Sequence, residues 1–160
     1  MRLGDIMNFT GLLDHRIGID ELSTDDVAST FSAIVDALVS GGAIDATDSD
    51  TLRDALIARE SSGSTAFQYG FALPHVFSDL VDRIWVAAAR HPGGLDMAAA
   101  DGEKTTIIIC IVGPESERDA YLSLLRTIAG IVRDGHWRRF MHQALTASDI
   151  FETLLEAETT

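Results

Sequence analysis

The chain has 160 residues, 46% of them hydrophobic and 23% charged, and carries a formal net charge of −13. That size and composition suit one globular domain with a sizeable core, and the negative charge repels nucleic-acid backbones and anionic membrane surfaces. The uninterrupted apolar run at residues 107–112, which no other run exceeds, falls far short of the ~18–20 residues of a membrane span.

The N-terminus, Met1-Arg2-Leu3-Gly4-Asp5, lacks the basic-then-apolar pattern of a secretory signal. The single cysteine, Cys110, lies inside the apolar run and reads as a small buried core residue. A cytoplasmic location follows by elimination. The acidity fits either a basic protein partner or solubility alone.

In chain order, Leu22-Ser23-Thr24-Asp25-Asp26-Val27 reads as a helix start, with Ser23 as the cap, Asp26 three residues on and Leu22 stapled onto Val27. Val27, Phe31, Ile34, Val35 and Leu38 then mark one helical face, which stops at Gly41-Gly42. A second helix is expected from Thr47 or Asp48 to about Ser61, with Leu52, Ala55, Leu56 and Arg59 on its inward face. A cation on an apolar stripe calls for a snorkelling side chain, an ion pair or a ligand. Residues 71–73 read as a short strand that stops at Pro74-His75, placing the imidazole just past its C-terminal end.

Residues 83–90 and 105–112 are strands apolar on both faces, as in a sheet covered by helices on each side. His91-Pro92-Gly93-Gly94 and Ala100-Asp101-Gly102-Glu103 read as turns, and Gly113-Pro114 ends the second strand. Ser116 with Asp119 opens a third long helix with an inward stripe of Tyr121, Leu124, Leu125, Ile128 and Val132, closed by Gly135. Two short helices follow, burying Trp137, Phe140 and Met141 on one and Phe151, Leu154 and Leu155 on the other. Without repeats, low-complexity tracts or linkers, residues 1–160 are expected to form one α/β domain.

Chemistry concentrates at His75. The C-terminal edge of an open α/β sheet is where ligands usually bind, and Pro74 forces Leu73 into an extended conformation that holds the ring. Gly63-Ser64-Thr65 forms a tight turn whose backbone and hydroxyl donors suit an anion. Arg59 sits on the helix end feeding that turn. An imidazole, a guanidinium and free N–H groups are what a protein needs to hold a phosphoryl group on nitrogen. His15, His91, His136 and His142 lack metal-ligand spacing and read as solvent-exposed polar residues, while Arg138 and Arg139 read as a solvated helix surface.

The pattern Arg-Glu-x-x-Gly-Ser-Thr, seven residues, Leu-Pro-His, spanning Arg59 to His75, resembles the signature of the mannitol/fructose-type (type 2) enzyme IIA domains of the phosphoenolpyruvate-dependent phosphotransferase system, which include the nitrogen-regulatory enzyme IIA proteins. The resemblance extends from about Ile6 to Glu156. It implies a mixed, largely parallel sheet sandwiched between helices. It also implies that His75 is phosphorylated on Nε2 by the phosphocarrier HPr, that Arg59 steadies the phosphoryl group, and that no metal or organic cofactor takes part. Two positions depart from the pattern: Tyr121 stands where the family commonly has a second histidine, and Gln68 where it usually has glycine.

The functions that follow are a phosphocarrier passing phosphate to a IIB partner in sugar uptake, and a regulator whose phosphorylation state is read by a target protein. A third is an interaction domain that has lost phosphorylation, and a metal-dependent hydrolase is a distant fourth. The free-standing length of the chain favours regulation over transport.

Overall fold

The computed structural model describes residues 9–158. The reading of Met1–Asp5 and the Ile6 limit of the resemblance lie outside them. Helix α1 (Phe9–Leu12) and strand β1 (Arg16–Ile19) lead into α2 (Val27–Ser40) and α3 (Ser49–Ser61). Strands β2 (Phe71–Ala72), β3 (His75–Phe77), β4 (Trp85–Leu95) and β5 (Thr105–Gly113) follow. Helices α4 (Arg118–Arg133), α5 (Gly135–His142) and α6 (Ala147–Glu158) close the described chain.

The sheet runs β1-β4-β5-β2, with β3 also paired to β5. Its pairings are parallel except β4–β5, which is antiparallel. Helices cover both faces. Ile107, Ile109, Ile111, Val86 and Ala88 point toward α4, α5 and α6, where they meet Leu124, Ile128, Met141 and Phe151. Ile108, Cys110, Val112, Ala87 and Ala89 point the other way, toward Phe31, Ile34, Leu38, Leu52 and Leu56 of α2 and α3. Successive strand residues alternate faces, so a sheet with two dry faces needs apolar residues at every position. The mixed, mainly parallel sheet between helical layers is the one expected.

Several local expectations are corrected. Asp26, not Ser23, caps α2: its carboxylate accepts the Ser29 N–H at 2.7 Å. The cap must be the last extended residue before the first turn, and Asp26 has that conformation. His91-Pro92-Gly93-Gly94 is not a turn between strands. It lies within β4, where the register against β5 shifts between Arg90 and Leu95 and the extra residues bulge. Ser116 lies in a 3-10 turn (Glu115–Glu117), and α4 starts after it without a side-chain cap. Asp134, not Gly135, separates α4 from α5, capping α5 through the N–H groups of His136 and Trp137. On α5, Met141 is buried but Phe140 is 49% exposed. One helix of two turns has room for a single fully buried row.

Candidate phosphoryl-acceptor site

His75 does not lie past the end of its strand. Phe71↔Ile107 and Ala72↔Ile108 keep the same offset as His75↔Ile111 and Val76↔Val112. β2 and β3 are therefore one edge strand in a single register, interrupted at Leu73-Pro74. Proline has no N–H for a ladder and is tolerated at a sheet edge. Its carbonyl still accepts the Ile111 N–H at 2.9 Å, so the strand stays attached through the interruption. The Leu73 N–H turns outward and donates to the Thr65 carbonyl at 3.0 Å. That bond, with the Ala66↔Ala72 bridge, lays the Gly-Ser-Thr segment along the open edge.

The interruption also frees the Leu73 carbonyl, and His75 uses it. The two are 2.7 Å apart through Nδ1. A carbonyl only accepts, so Nδ1 carries the proton and Nε2 keeps its lone pair. The half-buried ring faces a cavity of about 560 Å3 lined by Arg59, Ser64, Thr65, Phe67, Leu73, Leu125, Arg126, Ala129 and Arg133.

The turn itself is tightly tied. Both the N–H and the hydroxyl of Thr65 donate to the Glu60 carboxylate, at 2.7–3.2 Å. The Gly63 N–H donates to the Glu60 carbonyl, and the Ser64 hydroxyl to the Met97 carbonyl at 2.6 Å. Of the donors expected to cradle an anion, the Gly63 N–H, the Ser64 hydroxyl and both donors of Thr65 are thus engaged within the protein, and the positive charge at the cavity comes from guanidinium groups. Arg59 donates to the Gly63 carbonyl at 3.0 Å, and Arg133 lies over the Phe67 ring, 5.3 Å from its centroid. No ion pair among the described residues engages Arg59, Arg126 or Arg133.

Tyr121 sits beneath this arrangement. Its ring stacks on Phe77 at 4.1 Å, meets the His75 ring edge-on at 6.3 Å, and is 1% exposed. Arg118, which pairs with Glu115, lies over the Phe77 ring, 4.3 Å from its centroid. The Tyr121 hydroxyl is buried without a hydrogen-bond partner. Burial, chiefly, pushes its pKa above the ordinary phenol value, so it is neutral at physiological pH. It does not bond His75 in this state.

Gln68 is exposed and begins a 3-10 turn (Gln68–Gly70) at the rim. In that turn Tyr69 adopts φ 68°, unusual for a side chain of its size. Asp101 accepts its N–H at 2.8 Å, His142 donates to its carbonyl at 2.7 Å, and Arg138 stacks 3.7 Å over its ring. Gly70 follows with φ 85°, where a Cβ would lie 3.2 Å from the Lys104 carbonyl.

Two of the remaining histidines are not solvent-exposed: His91 is 4% exposed and donates to the Thr24 carbonyl at 2.7 Å, and His15 is half-buried and accepts from Arg83 at 2.8 Å. His136 and His142 are exposed as expected, though His142 also holds the Tyr69 turn.

Sequence reasoning missed Arg126, Arg133 and the anchoring role of Glu60. The two arginines are seven apart on α4, two helical turns, with Ala129 between them. That spacing puts them on one face, and it was legible once α4 was known to border the cavity.

The profile of the family described as "Phosphoenolpyruvate-dependent sugar phosphotransferase system, EIIA 2" matches residues 13–157. The "PTS system fructose-specific EIIA component" of Haloferax volcanii is 31% identical over 125 residues, covering 78% of this chain and 71% of that protein. The nitrogen regulatory protein IIA-Ntr of Neisseria meningitidis superposes with a TM-score of 0.75 at 21% identity, over 89% of this chain and 94% of that one. The enzyme IIA of the Escherichia coli mannitol system, solved in complex with phosphorylated enzyme IIB, superposes with a TM-score of 0.69 at 15% identity, over 86% and 93%. The chain belongs to the type 2 enzyme IIA family of the phosphoenolpyruvate-dependent phosphotransferase system. Among the described residues, no helix is long and apolar enough to cross a membrane.

Proposed function

We propose that this protein, as a single IIA domain in the cytoplasm, carries a phosphoryl group on Nε2 of His75. The group is received from an HPr-like phosphocarrier and passed to a IIB component or read by a regulatory target. The observation that carries this reading is the 2.7 Å contact between Nδ1 and the Leu73 carbonyl. It commits the proton to Nδ1 and leaves the Nε2 lone pair for a nucleophilic role.

In the transfer, Nε2 attacks the phosphorus of the donor's phosphohistidine. An N–P bond forms as the donor's N–P bond breaks, and that electron pair returns to the donor imidazole. The His75 ring then bears both the Nδ1 proton and the phosphoryl group and is cationic. The Leu73 carbonyl stabilises it through a charge-assisted hydrogen bond. Arg59 supplies positive charge to the phosphoryl oxygens, and Ser64 and Thr65 form the polar wall of the cavity. Tyr121 provides a neutral hydroxyl in place of a second imidazole. No metal or organic cofactor has a step in this chemistry.

Both kinds of acceptor have support among the relatives, one solved with a phosphorylated IIB partner and one a nitrogen regulatory protein. Incubation with phosphoenolpyruvate, enzyme I and HPr is expected to yield one acid-labile, base-stable phosphate per chain, absent from His75→Ala. Label that persists in that variant sinks the assignment. An unlabelled wild type with a competent HPr leaves a binding-only regulator.

A further inference from the structure

The cavity beside His75 is larger and more cationic than one phosphoryl group on a ring nitrogen calls for. Its volume of about 560 Å3 falls within the range of small-molecule sites, roughly 300–1,000 Å3. Arg59, Arg126 and Arg133 all line it, and no ion pair among the described residues neutralises them, although the chain as a whole carries −13. Three like charges around one concavity repel one another, and a bound dianion removes that repulsion.

Two of the three are held in place before any ligand arrives, Arg59 by the Gly63 carbonyl and Arg133 by the Phe67 ring. A guanidinium fork meets phosphate oxygens in pairs, and fixing it beforehand lowers the cost of binding. Ser64, Thr65 and His75 add polar lining, and the remaining walls, Phe67, Leu73, Leu125 and Ala129, are apolar. An inorganic ion leaves those walls bare, whereas a carbon skeleton attached to the phosphate covers them.

We propose that this cavity is a binding site for a small organic phosphomonoester, which occupies the position of the phosphoryl group and competes with phosphorylation of His75. The competition rests on the reading of His75 as the phosphoryl acceptor; the binding does not. Such a ligand is of the class that reactions downstream of a phosphoryl relay produce, so occupancy returns information about product level to the relay.

Phenyl phosphate is a suitable probe, with inorganic phosphate and phenol as its two halves. Calorimetric titration of the unphosphorylated protein is expected to show one phenyl phosphate per chain, bound at least tenfold more tightly than inorganic phosphate, and no binding of phenol. The His75 imidazole resonances are expected to shift saturably over the same titration. Arg126→Ala with Arg133→Ala, both exposed positions, should weaken binding tenfold or more with an unchanged melting curve. Arg139→Ala, outside the cavity, should leave it intact. The absence of saturable binding, equal affinity in the double variant, or saturation without a His75 shift each overturns the site. Where His75 accepts label, saturating phenyl phosphate should slow labelling severalfold, and an unchanged rate overturns the competition. A chain that binds phenyl phosphate but never takes label refutes the phosphocarrier reading alone.

Discussion

The His75 ring is oriented by one backbone carbonyl, freed where the edge strand breaks at Leu73-Pro74. Tyr121, packed against it, carries an orphan hydroxyl. A buried polar group without a partner typically costs about 1–3 kcal/mol, so its retention points to a partner in another state. Tyr121→Phe keeps the stack on Phe77 and removes only the oxygen. The unphosphorylated protein is expected to gain on the order of 1 kcal/mol of stability in denaturant unfolding, while phosphoryl transfer slows by roughly tenfold to a hundredfold. A variant that is more stable with unchanged transfer reduces Tyr121 to a core residue. The Glu60 carboxylate was legible as part of a motif, but its grip on both donors of Thr65 was not. Short-range spacing says which residues are near a turn, not which hydrogen bonds they complete.

At the scale of elements, the faces of α2, α3 and α4 followed from their 3.6-residue apolar period, and β5 from its unbroken apolar run. Their ends followed less well, because several compatible caps stand within a few residues and the winner depends on backbone conformation. The bulge in β4 was misread because Pro92, Gly93 and Gly94 carry the same local signal in a turn and in a strand that swells. Contacts between elements were invisible to periodicity. Gly18 in β1 looks featureless in sequence, yet a Cβ there would lie 2.7 Å from the Ala147 Cβ at the start of α6. Neither partner is a flexible side chain, so helix or strand must move. Gly18→Ala is expected to cost about 1–3 kcal/mol, measured by urea unfolding. An unchanged midpoint would show that α6 yields freely.

Across the whole molecule, positive charge gathers at the cavity. Arg59, Arg126 and Arg133 line it within a chain of net charge −13. A cationic cleft in an acidic body steers anions and anionic partner surfaces toward it. Burial governs the other titrating feature of the interior. Desolvation first, and Glu60 second, push the Cys110 thiol up to about 12, and burial raises Tyr121 as well. Both groups hold their protons more tightly folded than unfolded. Their neutral burial is compatible with full stability below the unfolded pKa values. Stability is then lost as pH rises past them toward the folded values. Thermal unfolding midpoints are therefore expected to fall between about pH 9 and pH 12, with a shallower fall in Cys110→Ala. An identical slope in that variant would assign the alkaline loss elsewhere.

What the sequence by itself determined was local and periodic. The helical faces, the two-sided apolar strands and the Arg59-to-His75 motif name residue types at fixed short spacings, and these are set by helix and strand geometry. The family membership rests on the same information. The tertiary structure alone decided the continuity of β2 with β3, the proton on Nδ1, the engagement of both Thr65 donors by Glu60 and the entry of Arg126 and Arg133 into the cavity. Each of these depends on which groups meet across the sheet and its flanking helices. A hydrogen bond or a cavity belongs to the pair of surfaces that form it, and those surfaces come from distant parts of the chain.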